Sequence, residues 1–150
     1  YRRQRQMCIR DSNWKPDYIV GITRGGLVPA NLLSQYTGIK MYTLNVSLRD
    51  GEGGETNCWM AEDAFDNKKI LIVDDINDSG ATINWIKQDW PKSCFPDSPK
   101  WQQVWGDSVR FAVLTHNFGS KFRDPDYHAW TVDKREEDCW LVYPWEDYWL

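Results

Sequence analysis

Three carboxylates and two hydroxyls follow one apolar run in the middle of the chain. The run Ile70–Val73 leads directly into Asp74 and Asp75, and the segment Asp78–Thr82 follows with the sequence Asp-Ser-Gly-Ala-Thr. A turn that opens a helix presents backbone N–H groups without intrahelical partners, and such groups bind phosphate well. Carboxylates beside it accept hydrogen bonds from sugar hydroxyls. The pattern therefore predicts a receptor for a phosphorylated ribose, with solvated turn acids as the alternative for the Asp-Asp pair.

A second glycine-bearing turn lies nearer the beginning of the chain. The segment Gly21–Leu27 overlaps the end of the apolar, β-rich stretch Tyr18–Thr23 and reads Gly-Ile-Thr-Arg-Gly-Gly-Leu. Arg24 places a cation beside the backbone N–H groups of Gly25 and Gly26, and this combination suits an anion such as pyrophosphate. A tight connection between a strand and a helix is the alternative for a Gly-Gly pair at this position.

Predicted strands and helices alternate along the chain and would position both turns. The strands are predicted at Tyr18–Thr23, Met41–Leu48, Ile70–Asp74, Val109–Leu114 and Trp140–Tyr143, and the helices at Pro29–Gln35 and Thr82–Trp90. Such alternation is typical of an α/β fold with a mainly parallel central sheet flanked by helices. Ligands of such sheets bind outside the carboxyl ends of the strands. Arg49–Glu62 and Pro91–Ser108 are predicted to be loops, and the second has no assigned role.

The composition is that of a globular chain with one core. The 150 residues are predicted to form a single domain over 1–150. The net charge of −4 provides no basic surface for nucleic acid, and no apolar run is long enough for a membrane span or a signal peptide. The four cysteines (Cys8, Cys58, Cys94 and Cys139) lack zinc-type spacing, so we expect reduced thiols in a cytoplasmic protein.

Three segments, in the expected order, resemble the type I phosphoribosyltransferase family. Val73–Thr82 is similar to that family's phosphoribosyl-pyrophosphate signature, and Pro16–Leu27 is similar to its pyrophosphate loop. Trp140–Glu146, which reads Trp-Leu-Val-Tyr-Pro-Trp-Glu, resembles the base-binding end of the xanthine-guanine and hypoxanthine branch. The resemblance implies a Rossmann-like fold in which Arg49–Glu62 is a mobile hood that excludes water from the substrates. The stretch before Pro16 is shorter than is usual in the family, which fits a truncated or atypical N-terminus.

The resemblance also implies a reaction and its site residues. A nucleobase nitrogen would displace pyrophosphate from C1 of phosphoribosyl pyrophosphate (PRPP), with Mg²⁺ providing positive charge near the leaving group. Asp74 and Asp75 would bind the ribose hydroxyls directly or through the metal, and Asp78 would be the general base near the purine imidazole nitrogen. The implied PRPP-binding and pyrophosphate-binding residues are Arg24, Gly25, Gly26, Asp74, Asp75, Asp78, Ser79, Gly80, Ala81 and Thr82. The pyrophosphate loop of the family often contains a cis peptide. The resemblance also implies that the protein forms a homodimer.

The base-binding residues depart from the family pattern at one position. Trp140 and Leu141 match positions that pack on the purine, although core packing is the alternative for such a pair. The family usually has a lysine after the fourth strand that contacts the purine 6-oxo group, whereas this chain has His116 and Asn117 there. Asn117 can donate to a carbonyl oxygen but carries no charge, so it is the candidate base contact and the base itself is left open. Asp126-Tyr127 is predicted to be a surface turn, with a loop at the edge of the base pocket as the alternative.

Two functions of different classes are consistent with these residues. The first is a purine phosphoribosyltransferase of the salvage type, and the second is a PRPP-binding regulator that has lost catalysis. The lack of a basic DNA-binding segment favours the enzyme. The lysine missing from its usual position favours the regulator or a changed base. A pyrimidine enzyme of the orotate type is a third reading, and the C-terminal Trp140–Glu146 segment argues against it.

Overall fold

The computed structural model describes residues 13–47, 53–54, 57–122, 125–136 and 139–146, and its centre is a six-stranded sheet. The strands are β1 (Tyr18–Thr23), β2 (Met41–Ser47), β3 (Gly53–Gly54), β4 (Ile70–Asn77), β5 (Val109–Asn117) and β6 (Tyr127–Val132). They lie in the order β3-β2-β1-β4-β5-β6. Every neighbouring pair is parallel except β2 with β3. The five parallel strands confirm the predicted α/β class.

Four helices lie between the strands: α1 (Leu27–Thr37), α2 (Cys58–Phe65), α3 (Ala81–Ser93) and α4 (Trp101–Val104). Helix α1 ends where expected, because Gly38 adopts a left-handed conformation with φ of 73° and donates its N–H to the Ser34 carbonyl oxygen. Helix α3 continues past the predicted end and contains Pro91. In its last turn the Ser93 hydroxyl donates to the Asp89 carbonyl oxygen over 3.0 Å, which supports the continued helix.

The core covers both faces of the sheet, which explains why β4 is apolar on both sides. Ile70 and Ile72 join the core cluster that includes residues of α2 and α3, whereas Leu71 and Val73 join the cluster that includes α1. All four side chains are at most 2% exposed. Burial of this strand from both sides fixes the position of the acidic residues at its carboxyl end.

The last parallel strand is β6, so the prediction of a strand at Trp140–Tyr143 is wrong. β6 pairs along β5 from Ala112 opposite Tyr127 to Asn117 opposite Val132. Aromatic and β-branched residues favour this strand, whereas residues 139–143 form no ladder and are irregular. The predicted surface turn at Asp126-Tyr127 holds for Asp126, which is exposed in the bend before β6, and is wrong for Tyr127, which begins β6. The Asp126 carboxylate accepts a hydrogen bond from the Phe111 N–H at 2.7 Å.

Both predicted loops contain helices in the described part of the chain. α2 begins at Cys58, within the predicted hood Arg49–Glu62, because Met60, Ala61 and Ala64 supply an apolar face that the core buries. Residues 49–52 and 55–56 of that hood lie outside the described residues, as does Tyr1–Ser12. Within Pro91–Ser108, α4 forms because Trp101 and Val104 are buried.

The described helices include none that is long and apolar enough to cross a membrane. The cysteines that the structure describes are free thiols: Cys58 is exposed, Cys139 is half-buried and Cys94 is buried. Cys8 lies outside the described residues. These positions leave the expectation of reduced thiols in place for the three cysteines described.

Candidate active site

The three acidic residues identified in the sequence, Asp74, Asp75 and Asp78, lie at the carboxyl end of β4 or directly after it. The strand extends past Asp74 to Asn77, so Asp74 and Asp75 lie within it and are half-buried. Asp78 is half-buried in the following turn, Ser79 is exposed, and α3 begins at Ala81. The Ser79 hydroxyl oxygen accepts a hydrogen bond from the Ala81 N–H at 3.2 Å. The predicted helix-opening turn is therefore formed, and its first-turn N–H groups lack intrahelical partners.

Gly80 is the point at which this turn allows no side chain. Its φ is 83°, a left-handed conformation that glycine adopts most readily. A Cβ there would lie 2.6 Å from the Phe122 nitrogen and 2.8 Å from the Ser120 hydroxyl oxygen. The segment after β5 is thus packed directly against the turn, and the Lys121 N–H donates to the Ser79 carbonyl oxygen. Thr82, the last residue of the motif, is half-buried in the first turn of α3.

The Arg24-Gly25-Gly26 turn follows β1, which is paired with β4, and it contacts the acidic end of β4. A Cβ on Gly25 would collide with the Asp75 carboxylate, and a Cβ on Gly26 would collide with the Val73 carbonyl oxygen. Only glycines allow this approach. Arg24 is exposed, and the peptide bond between Thr23 and Arg24 is cis, as the resemblance implies for this loop. The diglycine turn therefore lies directly against the carboxyl end of β4.

The two adjacent carboxylates of β4 have a donor set that fits Mg²⁺. One oxygen of Asp74 accepts the Asp75 N–H at 2.9 Å, and one oxygen of Asp75 accepts the Ile76 N–H at 2.8 Å. These hydrogen bonds orient both carboxylates. Among the described residues no group of three or more His, Cys, Asp or Glu side chains is placed to bind a metal. Mg²⁺ usually takes one or two carboxylates and completes its shell with water and substrate phosphates, so either carboxylate alone would meet this requirement.

Asp78 is held by two side chains from other elements. Lys134, in the turn after β6, places its Nζ 3.0 Å from Asp78 Oδ2. Asn117, the last residue of β5, donates from Nδ2 to Asp78 Oδ1 at 3.2 Å and to the Asp78 carbonyl oxygen at 3.1 Å. The Asn117 Oδ1 in turn accepts the N–H groups of Lys134 and Gly119. Asn117, the candidate base contact, lies next to Asp78, but its amide is occupied by protein groups and is only 7% exposed.

His116, the other residue near the usual lysine position, lies in the interior. It is 3% exposed, and its Nδ1 is 3.1 Å from Asn77 Nδ2. The Asn77 Oδ1 accepts a hydrogen bond from the Ser120 hydroxyl at 3.1 Å. These contacts join the end of β4 to the segment after β5, and they stabilise the wall against which Gly80 packs.

The C-terminal segment reaches the site through Tyr143. Its hydroxyl donates to the Asp75 carbonyl oxygen at 3.0 Å and lies 2.9 Å from the Thr115 Oγ1. Burial raises the pKa of Tyr143 to about 12, so the hydroxyl stays protonated. This contact places Trp140 and Leu141 near the carboxyl ends of the strands. Trp140 is 71% exposed and its ring centroid is 5.9 Å from the Lys134 Nζ, whereas Leu141 is half-buried.

Sequence reasoning missed two of these residues. Lys134 lies in the charged run Asp133–Asp138, which resembles an ordinary solvated turn, and no spacing connects it to Asp78. Tyr143 was within a segment assigned to a strand, where a hydroxyl contact to β4 was not expected. One sequence feature could have pointed to Lys134. The family lysine is missing from its usual position, so a cation near the base would have to come from another element.

Comparison with known proteins agrees with this geometry. The family model described as phosphoribosyl transferase domain matches residues 3–146. The chain is similar in structure to a purine phosphoribosyltransferase from Pyrococcus horikoshii Ot3, with 24% identity, a TM-score of 0.63, and coverage of 96% of this chain and 88% of that chain. A hypothetical protein from Neisseria gonorrhoeae with bound ppGpp gives 22% identity and a TM-score of 0.63, with coverage of 93% and 79%.

A third solved structure, a xanthine-guanine-hypoxanthine phosphoribosyltransferase from Helicobacter pylori, gives 19% identity and a TM-score of 0.59, with coverage of 90% of this chain and 85% of that chain. At these identities the structural likeness shows the fold. The family match spans nearly the whole chain, and the acidic turn and the diglycine turn meet at one edge of the sheet. The chain belongs to the phosphoribosyl transferase domain family.

Proposed function

We propose that the chain transfers the ribose 5-phosphate group of PRPP to a ring nitrogen of a purine base and releases pyrophosphate, in a salvage reaction. The observation that carries the proposal is the contact of Gly25 with Asp75, which joins an anion-binding turn to a hydroxyl-binding carboxylate. The similarity to purine phosphoribosyltransferases from two organisms supports a purine as the acceptor.

The two turns would bind different parts of PRPP. The 5′-phosphate would be bound by the Asp78–Thr82 turn through backbone N–H groups and the hydroxyls of Ser79 and Thr82. The pyrophosphate would lie against Arg24 and the N–H groups of Gly25 and Gly26. Asp74 and Asp75 would accept hydrogen bonds from the ribose hydroxyls. This arrangement holds C1 of the sugar at the carboxyl ends of β1 and β4.

The chemical step breaks the bond from C1 to the pyrophosphate oxygen and forms a bond from C1 to the base nitrogen. Positive charge develops on the sugar and negative charge on pyrophosphate, which Arg24 would stabilise. The proton displaced from the base passes to the Asp78 carboxylate, which is the proposed general base. Trp140 would stack on the purine and Leu141 would contact its edge, so that the base nitrogen is held in line with C1.

Mg²⁺ would be held by Asp74 and Asp75, and when bound it supplies positive charge to the phosphate oxygens. The protein groups then position the sugar and accept the proton. Asn117, which was the candidate base contact, is proposed to act on the base through Asp78, because its amide donates to that carboxylate.

A second function, a PRPP-binding regulator without catalysis, is favoured by one observation. The residue at the usual lysine position is Asn117, and its donors already contact Asp78. In this reading the sugar and phosphate groups would still be bound, but no base would be positioned for attack. The two functions share the PRPP site and differ in pyrophosphate release.

A pyrophosphate-release assay separates the two functions. The protein is incubated with PRPP and Mg²⁺, and guanine, xanthine, hypoxanthine, adenine, uracil or orotate is added in turn. We expect release with at least one purine and none with the pyrimidines. Binding of PRPP without release for any base supports the regulator, and release with a pyrimidine alone contradicts the purine assignment.

Two controls make the assay specific. Excess chelator should abolish release, so full activity in chelator contradicts the metal assignment. Asp97→Asn is a matched control for carboxylate substitutions, because Asp97 is exposed in the turn after α3 and contributes to none of the proposed contacts. This variant should release pyrophosphate at the unmodified rate.

A further inference from the structure

We propose that Lys134 supplies the positive charge that selects a purine with an exocyclic oxygen at C6, and that it does so from the turn after β6. The inference rests on the proposed function, because it concerns the base half of the same site. It adds a specificity-determining residue at a position that the sequence motifs do not include. The starting observation is the ion pair of Lys134 with Asp78.

The ammonium of Lys134 reaches both ends of the base site. Its Nζ is 3.0 Å from Asp78 Oδ2 and 5.9 Å from the centroid of the Trp140 ring. The side chain of Lys134 is 18% exposed and that of Asp78 is 35% exposed. Most of the lysine side chain is therefore covered by protein, while the indole on which a base would stack is mostly exposed. A base against Trp140 with its proton near Asp78 would lie beside this cation.

The backbone of Lys134 is fixed relative to Asp78. Asn117 Oδ1 accepts the Lys134 N–H at 3.2 Å, and Asn117 Nδ2 donates to Asp78 Oδ1 at 3.2 Å. One amide thus holds both members of the ion pair. The end of β5 contributes a connecting amide, and the turn after β6 contributes the charge.

The shape of a purine makes this position selective. Ring nitrogen N7 and the substituent at C6 lie on the same edge of a purine, and a C6 oxygen is a hydrogen-bond acceptor. If the proton-bearing imidazole nitrogen faces Asp78, the C6 substituent lies within reach of the ammonium. An ammonium donates only, so it can bind a C6 oxygen but leaves a C6 amine without an acceptor.

The same lysine would change partners as the base enters. Without a base its charge is paired with Asp78, and its flexible four-carbon stem allows a short movement to the C6 oxygen. Asp78 then loses one donor at the moment when it must accept the proton of the base. Selection and proton transfer therefore involve the same ion pair.

Nucleotide binding tests the inference without requiring turnover. Calorimetry measures the Kd of inosine monophosphate and of adenosine monophosphate for the unmodified protein, Lys134→Met, Lys134→Arg and Lys40→Met. Lys40 is an exposed lysine before β2, at the opposite edge of the sheet, and is the matched control. Hydrogen bonds to charged groups are worth enough that Lys134→Met should weaken inosine monophosphate binding by about 10- to 100-fold.

Adenosine monophosphate binding should change by less than about twofold in Lys134→Met, because the amine gains nothing from the ammonium. Lys134→Arg should keep a preference for the inosine nucleotide, and Lys40→Met should match the unmodified protein. The melting temperature of each variant is measured in parallel, and the Arg variant keeps the test valid if the Met variant folds poorly.

Three outcomes overturn the inference: equal losses for both nucleotides in Lys134→Met, no loss for either, or no preference for inosine monophosphate in the unmodified protein. The pyrophosphate assay is run on the same samples. A Lys134-dependent preference without pyrophosphate release would leave this inference standing and overturn the proposed function. Release with an unchanged preference in Lys134→Met would do the opposite.

Discussion

The proposed sugar-phosphate half and the proposed base half of the site are built by different means. The first consists of two short turns after paired parallel strands, and its geometry depends on glycines that pack against backbone or carboxylate atoms. The second is assembled from single side chains on β5, on the turn after β6 and on the C-terminal segment. The comparison teaches that backbone sites leave a local sequence motif, whereas side-chain networks across elements do not.

The largest expected effect concerns the carboxylate that both halves share. Asp78→Asn removes the proposed proton acceptor, so kcat should fall by about 10²- to 10⁴-fold. The PRPP dissociation constant should change by less than about threefold, because the phosphate is held mainly by backbone groups. Single-turnover kinetics and PRPP calorimetry measure the two quantities, with Asp97→Asn as control. Equal losses in kcat and PRPP affinity would place Asp78 in the sugar-phosphate half alone.

The next effect tests whether the phosphate half depends on Gly80. Gly80→Ala adds a Cβ that meets the Phe122 nitrogen at 2.6 Å and strains a residue with φ of 83°. The strain of about 1–3 kcal/mol should be relieved by a shift of the turn, and the misplaced N–H groups should weaken PRPP binding by about 10- to 100-fold. Gly38→Ala is a matched control, because Gly38 has φ of 73° and nothing within 4 Å of its Cβ position.

Gly38→Ala should lower stability by about 1 kcal/mol and leave PRPP affinity unchanged. Calorimetry with PRPP and thermal melting of both variants make the comparison. Unchanged PRPP affinity in Gly80→Ala would remove the phosphate from this turn.

A smaller effect concerns Tyr143, whose hydroxyl attaches the C-terminal segment to β4 and is called the anchor of the base half. Tyr143→Phe removes the hydrogen bond to the Asp75 carbonyl oxygen and should lower the free energy of unfolding at pH 7 by about 1–2 kcal/mol. The folded pKa of Tyr143 is raised from 10.0 to about 12, so the contribution of the neutral hydroxyl is complete below pH 10 and is lost as pH rises through 12.

Urea unfolding between pH 9 and pH 12 measures this dependence. The unmodified protein should lose more stability over that interval than Tyr143→Phe does. Tyr36→Phe serves as the exposed control and should follow the unmodified protein. Parallel curves for the unmodified protein and Tyr143→Phe would contradict the assignment of the anchor.

The smallest effect concerns Trp140, the proposed stacking surface for the base. Trp140 is 71% exposed, so Trp140→Ala should change the free energy of unfolding by less than about 0.5 kcal/mol. Loss of an aromatic contact worth about 1 kcal/mol should raise the KM for the base by about fivefold and leave the KM for PRPP unchanged. Steady-state kinetics with each substrate varied separately tests this division. A rise in the PRPP KM would show that the two halves are less separate than described.

The sequence was sufficient for strands β1, β2, β4 and β5 and for the turn that opens α3, because these depend on local patterns. The run Ile70–Val73 is apolar on both faces because two core clusters cover it, and the glycine after Asp78-Ser79 is required by a left-handed φ. Lys134 could not be found in this way, because its contact with Asp78 spans 56 residues and lies in a charged run. The strand prediction at Trp140–Tyr143 failed because β propensity favours a strand only where a partner strand is available. This segment pairs with no strand, and its Tyr143 hydroxyl bonds to β4 instead.

Asp75 touches both halves at once, since its carboxylate faces Gly25 while its carbonyl oxygen accepts the Tyr143 hydroxyl. A ligand in the proposed sugar site would contact Asp75. A movement of Asp75 would also move the C-terminal segment that carries Trp140, because Tyr143 is bonded to the Asp75 carbonyl oxygen. We therefore expect the two substrates to influence each other's affinity. Thermodynamic linkage requires the influence to be mutual and equal in size, so a base analogue that tightens PRPP binding fivefold must itself bind about fivefold tighter once PRPP is present.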